Sequence, residues 1–160
     1  MKKTFRILII IISIQLFFSC DVDENILTYD SEIVSIGYGT SFGECIGYCN
    51  RNLEIIGTDI KFKASGQTVT GKLPDIVITD EISIEDWEKL VNTFDIFIFR
   101  NMEEVIGCPD CADGGAEWIE IKTDEISHKI VFEYNNEPEE FKNYIEKLRE
   151  LLEQFEGKLK

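Results

Sequence analysis

The chain has 160 residues, of which 31 are acidic and 16 basic, giving a formal net charge of −15 at pH 7. A surface this acidic repels phosphate backbones, so we exclude nucleic acid as a partner. Hydrophobic residues make up 44% and aromatic residues 11% of the chain, which excludes an intrinsically disordered protein and predicts a domain with a core of ordinary size.

The first twenty residues predict a bacterial lipoprotein signal. Basic residues within 2–6 precede an apolar stretch, 7–18, and Ser19 places a small side chain directly before Cys20. The apolar stretch is short for a bilayer span and acidic residues follow it, so we predict a cleaved signal peptide, 1–19, rather than a membrane helix. Cys20 then becomes the first mature residue, carries acyl chains and tethers the domain to a membrane. The alternative is an ordinary secretory signal with an unrelated cysteine.

Residues 20–31 are polar and predict a short acidic tether, which leaves 32–160 as a single domain. From residue 32 onward large and small side chains alternate, as in a strand with two different faces. The large face comprises Val34, Ile36, Tyr38, Thr40 and Phe42, and the small face comprises Ser35, Gly37, Gly39 and Ser41. The small face predicts either the close approach of another chain segment or an open face.

Further strands are predicted from short apolar runs that turn residues separate. The predicted strands are 53–56, 60–64, 68–70, 118–122 and 129–134, and the predicted turns are 57–59, 65–67 and 123–128. The last two strands form a hairpin, and His128 beside its turn is expected at the surface. The pattern leaves open whether the apolar run 96–99 is a strand or a helix.

Two amphipathic helices are predicted from apolar side chains at helical spacing. The first begins at a capping box of Ser83 and Asp86 and runs to about residue 94, and the second begins near Pro138 and ends near Gly157. Their predicted core-facing stripes are Ile84, Trp87, Leu90, Val91 and Phe94 in the first, and Phe141, Ile145, Leu148, Leu152 and Phe155 in the second. The order of elements predicts an α+β domain, an antiparallel sheet with two amphipathic helices packed on one face.

Four cysteines remain after Cys20, namely Cys45, Cys49, Cys108 and Cys111. An even number in an exported domain predicts two disulfides. Local pairs would rigidify two loops, whereas cross pairs would join the early strands to the segment after the first helix. We favour local pairing because both spacings are short. A four-cysteine zinc site fits the same spacings, but an oxidising compartment argues against it.

The remaining motifs favour a structural interpretation. Residues 39–43 match the string Gly-x-Ser-x-Gly, but a loop rather than a helix is predicted to follow, which argues against a nucleophile elbow. Four acidic residues near the cysteine loops favour a solvated acidic loop, and a calcium site is the alternative, although their spacing is not that of an EF-hand. They are Glu44, Asp110, Asp113 and Glu117. We predict no catalytic residue, no resident metal and no cofactor.

Two segments around the cysteines resemble small lipoproteins of the Bacteroidota. They are Cys-Ile-Gly-Tyr-Cys at 45–49, followed by Leu-Glu-Ile at 53–55, and Gly-Cys-Pro-Asp-Cys-Ala-Asp-Gly-Gly-Ala-Glu-Trp at 107–118. The resembling family has no assigned activity, so the resemblance implies fold, compartment and anchor only.

The functional expectation is therefore an exported lipoprotein anchored in the outer membrane, on its periplasmic or cell-surface face. It is expected to act as a non-enzymatic binding domain. The expected partners are the membrane, through acyl chains on Cys20, and a protein or small ligand whose identity the sequence leaves open. The alternative is a metal-dependent protein or enzyme with a site at the cysteine and acidic loops.

Overall fold

The computed structural model describes residues 32–158, which all belong to one compact unit, Ser31–Lys160. The predicted signal peptide 1–19, the predicted acylation site Cys20 and the predicted tether 20–31 lie outside the described residues. The described chain forms a mixed α+β structure with an open, mostly antiparallel sheet of eight strands and three α-helices, which confirms the predicted class. None of the described helices combines the length and the apolar character needed to cross a membrane.

The bounds of the elements are as follows. The strands are Ile33–Ser41 (β1), Gly47–Ile56 (β2), Asp59–Thr68 (β3), Gly71–Lys72 (β4), Ile76–Glu81 (β5), Val105–Ile106 (β6), Ala116–Thr123 (β7) and Ser127–Glu133 (β8). The α-helices are Ile84–Asn92 (α1), Ile96–Arg100 (α2) and Lys142–Glu156 (α3), with short 3-10 helices at Cys111–Asp113 and Glu139–Phe141.

The strand order is β4-β3-β2-β1-β7-β8-β6, and β5 also pairs with β3. All pairs are antiparallel except β6 with β8. The central strand β1 is hydrogen-bonded to β2 on one side and to β7 on the other. Because it has a partner on both sides over most of its length, β1 joins the half of the sheet that contains β2 to the half that contains β7.

One face of the sheet contributes its large side chains to a single hydrophobic core, together with side chains from the helices. The sheet side chains of this core include Ile36, Tyr38, Leu53, Ile55, Phe62, Ile119, Ile121, Ile130 and Phe132. The side chains from the helices and from the segment between α1 and α2 include Leu90, Phe94, Phe99, Tyr144, Ile145, Leu148, Leu152 and Phe155. The predicted stripe of the C-terminal helix is therefore confirmed, and so is the predicted large face of β1 at Ile36, Tyr38 and Thr40. Phe42 does not continue this face, because it lies beyond β1 and lines the cleft described below.

The start of β1 differs from the prediction. The register between β1 and β7 shifts between Ile33 and Ser35, as it does at a β-bulge. The extra residue changes the alternation, so Ile33 is buried in the core and Val34 is exposed. Placing Val34 on the inward face was therefore wrong.

The predicted turn at 65–67 and the predicted strand at 68–70 were also wrong. Gly66 lies within β3, and the turn comes later, at Val69 and Thr70. A Cβ atom on Gly66 would overlap the backbone carbonyl of Gly47 in the neighbouring strand. The glycine is required by this close approach of two chains and not by a turn.

The first helix begins at its predicted cap but buries less than expected. Ser83 accepts a hydrogen bond from the backbone N–H of Asp86 at 3.1 Å. Leu90 is buried, whereas Trp87 is half-buried and Ile84 is exposed, so the stripe predicted for α1 is narrower at its start.

The second amphipathic helix was predicted to begin near Pro138, but a short 3-10 helix, Glu139–Phe141, follows that residue, and α3 itself begins at Lys142. The apolar run 96–99, for which the sequence left strand and helix open, forms the short helix α2.

The hairpin of β7 and β8 is confirmed, but His128 is not a simple surface residue. Its ring is half-buried and packs edge-on against Phe99, with 5.2 Å between ring centroids. The contact partly covers His128, because Phe99 of α2 is itself fully buried in the core.

Candidate functional site

The two cysteine pairs form local disulfides. Cys45 is bonded to Cys49 and Cys108 to Cys111, with Cα–Cα distances of 5.8 Å and 5.5 Å. Both distances fall within the usual range of about 4.4–6.8 Å for disulfides. The structure thus confirms the predicted disulfides and the local pairing, and the same bonds leave no four-thiolate zinc site.

The two disulfide loops contact each other, although 67 residues separate the contacting positions. The backbone N–H of Gly43 donates to Oδ1 of Asp110 at 3.3 Å. Asp110 has a positive φ of 61°, which an Asp tolerates better than most residues. Its own N–H donates to the carbonyl of Gly115 at 3.0 Å, so the second loop is closed before it enters β7.

A polar cleft of about 540 Å³ lies beside this contact. Its floor is formed by side chains that alternate outward from three adjacent strands, since Ser41 pairs with Asn50 and Asn50 pairs with Ser65. The other lining residues are Phe42, Gly43, Cys49, Gly66, Gln67, Lys72, Leu73, Asp75 and Asp110. Hydroxyl, amide, amine and carboxylate groups therefore surround the cleft, which offers both donors and acceptors.

The cleft lies at the C-terminal end of β1, the end far from Ile33. The described part of β1 begins at Ile33 and ends at Ser41, which lines the cleft. A strand of nine residues spans about 27 Å at about 3.3 Å per residue. Any ligand in the cleft would consequently be held away from Ile33, where the described chain enters the sheet.

Lysine and carboxylate charges at the cleft are partly paired. Lys63 and Asp75 form an ion pair with 2.7 Å between Nζ and Oδ2. Asp110 accepts the hydrogen bond from Gly43 described above. Lys72 lies on the short strand β4 and is exposed. The cleft therefore combines one exposed ammonium group and the carboxylates of Asp75 and Asp110 with neutral amides and hydroxyls, a set that suits a polar ligand better than an apolar one.

A second polar cluster is buried between the sheet and α3. Glu117 is fully buried and accepts hydrogen bonds from the Tyr38 hydroxyl, from Nε and Nη2 of Arg149 at 3.1 Å and 3.0 Å, and from the backbone N–H of Asn135 at 3.1 Å. Arg149 also pairs with Glu137 at 2.8 Å. All four donors converge on one carboxylate, so this cluster joins the sheet to the C-terminal helix.

The electrostatics of this cluster follow from burial and from the paired charges. Burial, reinforced by the negative charge of Glu117, raises the pKa of Tyr38 well above its usual value. Burial works to lower the pKa of Arg149, but hydrogen bonds to Glu117 and Glu137 outweigh it and raise the pKa. Burial works to raise the pKa of Glu137, but its hydrogen bonds and the charge of Arg149 outweigh it and lower the pKa.

The candidate calcium ligands are not brought together. Glu117 faces the core and is occupied by Tyr38 and Arg149, whereas Asp110 holds the backbone of Gly43. Within residues 32–158, no three His, Cys, Asp or Glu side chains are grouped so that they could hold a metal ion. The calcium alternative would require Glu44, Asp110, Asp113 and Glu117 to lie together, and the structure does not place Glu117 with the others, because it lies in the core.

The Gly-x-Ser-x-Gly string behaves as its context predicted. Ser41 ends β1, and the residues after it form a loop rather than a helix. His128 pairs with Ile121 near the opposite end of the hairpin, whereas Ser41 pairs with Ala116. The serine and the histidine therefore lie at different ends of β7.

The small face of β1 is covered by an aromatic ring, which is one of the two predicted outcomes. Trp118 of β7 lies across Gly37 and Gly39, where a Cβ atom would be 3.2 Å and 2.7 Å from the indole. The Lys129 ammonium lies 4.1 Å from the centre of the Trp118 ring. Glycine at these positions thus permits the ring to lie flat on the strand.

Sequence reasoning missed the cleft and the role of Arg149. Glu117 carries a visible signal, because it occupies an inward position in an alternating strand with Ile119 and Ile121. Arg149 is adjacent to a core stripe, and no local pattern assigns it a partner 32 residues away. Asn50 and Ser65 become neighbours only once the strand register is known.

Comparison with known proteins gives no match, either among protein-family models or among curated proteins.

Proposed function

We propose that this chain is an exported lipoprotein whose domain binds a small polar ligand in the cleft between the two disulfide loops. The observation that carries the proposal is the contact between Gly43 and Asp110, because it joins the two loops into one rim beside the cleft. The lipid anchor on Cys20 is proposed from the sequence alone. The expected location is the outer membrane, on the periplasmic or cell-surface face.

Binding rather than catalysis is favoured by the chemistry of the cleft. Its lining offers hydrogen-bond donors and acceptors, but no described residue pairs a nucleophile with a base there. Each loop is closed by its own disulfide, and closing a loop reduces the conformations that a binding surface must lose. Preordered loops of this kind support recognition of a ligand that makes several directional hydrogen bonds.

The packing arrangement fits this proposal. We infer that both amphipathic helices, α1 and α3, pack on the same face of the sheet, since their apolar side chains share one core with the inward side chains of the strands. The outward face then carries Ser41, Asn50 and Ser65, and the helices do not cover the cleft. The proposed site is therefore open to solvent.

An NMR experiment tests the binding site. Amide spectra of the mature protein are recorded with polyols, amino acids and small primary amides at millimolar concentration, and shifts confined to residues around the cleft are expected. Asn50→Leu should abolish them, because it removes an amide and fills the floor, whereas Thr79→Ala, on β5 outside the cleft, should leave them unchanged. Shifts that avoid the cleft, or that survive Asn50→Leu, would contradict the proposal.

The anchor has its own test. Metabolic labelling with a fatty-acid analogue should mark the wild-type chain and should not mark Cys20→Ala. Equal labelling of the two proteins would contradict acylation at Cys20 and would leave the ligand test unaffected.

A further inference from the structure

Exposed apolar side chains lie at both ends of the sheet, and more of them lie near the start of β1 than near its end, where Ile46, Val69 and Tyr134 are exposed. Ten large apolar side chains are exposed among the described residues, and five of them lie near the start of β1, where the tether joins. These five are Val34, Ile56, Ile84, Phe97 and Ile98. We call this end of the domain the tether end. Phe97 is 62% exposed and Ile84 is 52% exposed.

Pairing and hydrogen bonds place the sheet side chains at this end. Ile33 pairs with Thr123, so the start of β1 lies beside the turn between β7 and β8. Ile36 pairs with Ile55, so Ile56 lies at the same level on the other side of β1. Val34 is in the irregular step between Ile33 and Ser35.

The same kind of contacts place the helices there. The N–H of Ile82 donates to the carbonyl of Thr58 at 2.8 Å, so α1 starts at the turn between β2 and β3. Phe99 packs against His128 at the start of β8, and α2 therefore lies beside the turn between β7 and β8. Phe97 and Ile98 precede Phe99 directly on α2, and their side chains are exposed.

We propose that the tether end rests on the membrane that holds the acylated Cys20, with Phe97, Ile98 and Ile84 in contact with the lipid interface. This inference depends on the proposed lipid anchor. The stretch from Cys20 to Ile33 spans at most about 45 Å when fully extended, so either end of the domain can reach the bilayer. Five exposed apolar side chains lie at the tether end and three, Ile46, Val69 and Tyr134, at the cleft end, so contact with lipid at the tether end removes the larger number from water.

A weak contact is sufficient for this orientation. Once the anchor is inserted, the contact between the domain and the bilayer is effectively intramolecular, and a short tether gives an effective concentration in the millimolar range. The partner surface is expected to be zwitterionic, because Asp59, Glu81 and Glu85 are exposed at this end and repel anionic headgroups. The proposal is thus a shallow apolar contact with neutral lipid.

Lipid quenching tests the contact in the lipidated mature protein. The protein is reconstituted in phosphatidylcholine vesicles with brominated acyl chains, and a bimane label is attached at Ile84→Cys. The matched control is Val69→Cys in the turn between β3 and β4, where Val69 is 85% exposed. Both carry one added thiol, since Cys45, Cys49, Cys108 and Cys111 are paired. Quenching is expected to be at least about threefold greater at 84 than at 69, because bromine quenches only labels within the bilayer.

A second variant links the quenching to α2. Phe97→Ser combined with Ile98→Ser, in the Ile84→Cys background, should lower the quenching at 84, and both side chains are exposed, so the fold is retained. Equal quenching at 84 and 69 would overturn the orientation. A label at 84 that is shielded from aqueous iodide but not quenched by lipid would also overturn it, because protein would then cover the surface.

The failure of the anchor and the failure of the contact are separate results. Protein that does not float with the vesicles contradicts the lipid anchor and therefore the proposed function. Protein that floats, but is quenched equally at the two labels, contradicts the membrane contact alone.

Discussion

Replacing Glu117 with Gln should destabilise the domain strongly, although the side chains are nearly the same size. Both carboxylate oxygens of Glu117 accept from two donors, with the Tyr38 hydroxyl and Nε of Arg149 on one and the Asn135 N–H and Nη2 of Arg149 on the other. A carboxamide must place its NH₂ group against one of these donor pairs. It also leaves the charge of Arg149 without its main partner, since only Glu137 remains.

The magnitude follows from burial. Glu117 is fully buried, and breaking a buried ion pair on one side costs about 3–5 kcal/mol. The matched control is Glu156→Gln, since Glu156 also joins α3 to the sheet through an arginine, Arg51, but the two side chains are 29% and 33% exposed. Loss of that pair should cost at most about 1 kcal/mol.

Urea unfolding at pH 7 measures the difference between the two variants. With a slope of about 2 kcal/mol per molar urea, the midpoint should fall by about 2 M for Glu117→Gln and by no more than about 0.5 M for Glu156→Gln. Similar midpoints for the two variants would refute the argument that burial and donor convergence make Glu117 different.

Three further predictions concern the packing of two aromatic side chains and the pH dependence that Tyr38, Tyr144 and Glu137 give to stability. Phe141→Ala should lower the free energy of unfolding by about 3–5 kcal/mol and Trp87→Ala by about 1–2 kcal/mol, because the first ring is buried and the second only half-buried; thermal or urea melts give both values. Burial raises the pKa of Tyr38 and of Tyr144, so stability should fall as the pH rises above their usual value of about 10, and absorbance at 295 nm should show neither phenolate before unfolding. The pKa of Glu137 is lowered in the folded state, so its contribution should be present above about pH 4.5 and lost as the pH falls, and Glu137→Gln should flatten the acid limb of the stability profile.

The helices and the inward strands could be predicted from the sequence because their signals are local. The stripe Phe141, Ile145 and Leu148 repeats at helical spacing, and every member is buried. The alternation in β1 was visible too, but the bulge that exchanges Ile33 for Val34 depends on its pairing with β7. Ile33 and Val34 are both apolar, so the sequence of β1 alone does not show which of them faces the core.

Two glycines show the same difference between local and long-range causes. Gly57 has a positive φ of 60° in the turn between β2 and β3, and the sequence identified that turn correctly. Gly66 was read as a turn residue because it has polar neighbours, but it is needed where the backbone of Gly47 passes closely. A turn depends on residues that are adjacent in sequence, whereas a close approach of two strands depends on residues that are far apart in sequence. A single sequence therefore reveals the turn but not the close approach.

The cleft could not be predicted either, because it too depends on contacts between residues that are distant in sequence. Its position along β1 also bears on the proposed function. Ser41, Asn50 and Ser65 are ordinary polar residues in sequence, and the register of three strands makes them one surface. The same central strand β1 separates that surface from the tether end by about 27 Å at about 3.3 Å per residue. In the proposed orientation this separation exceeds the Debye length of about 8 Å at physiological salt, so the headgroup charges hardly affect a ligand in the cleft. A short rigid sheet, held on both sides of β1, can thus keep a polar site clear of the membrane without any additional domain.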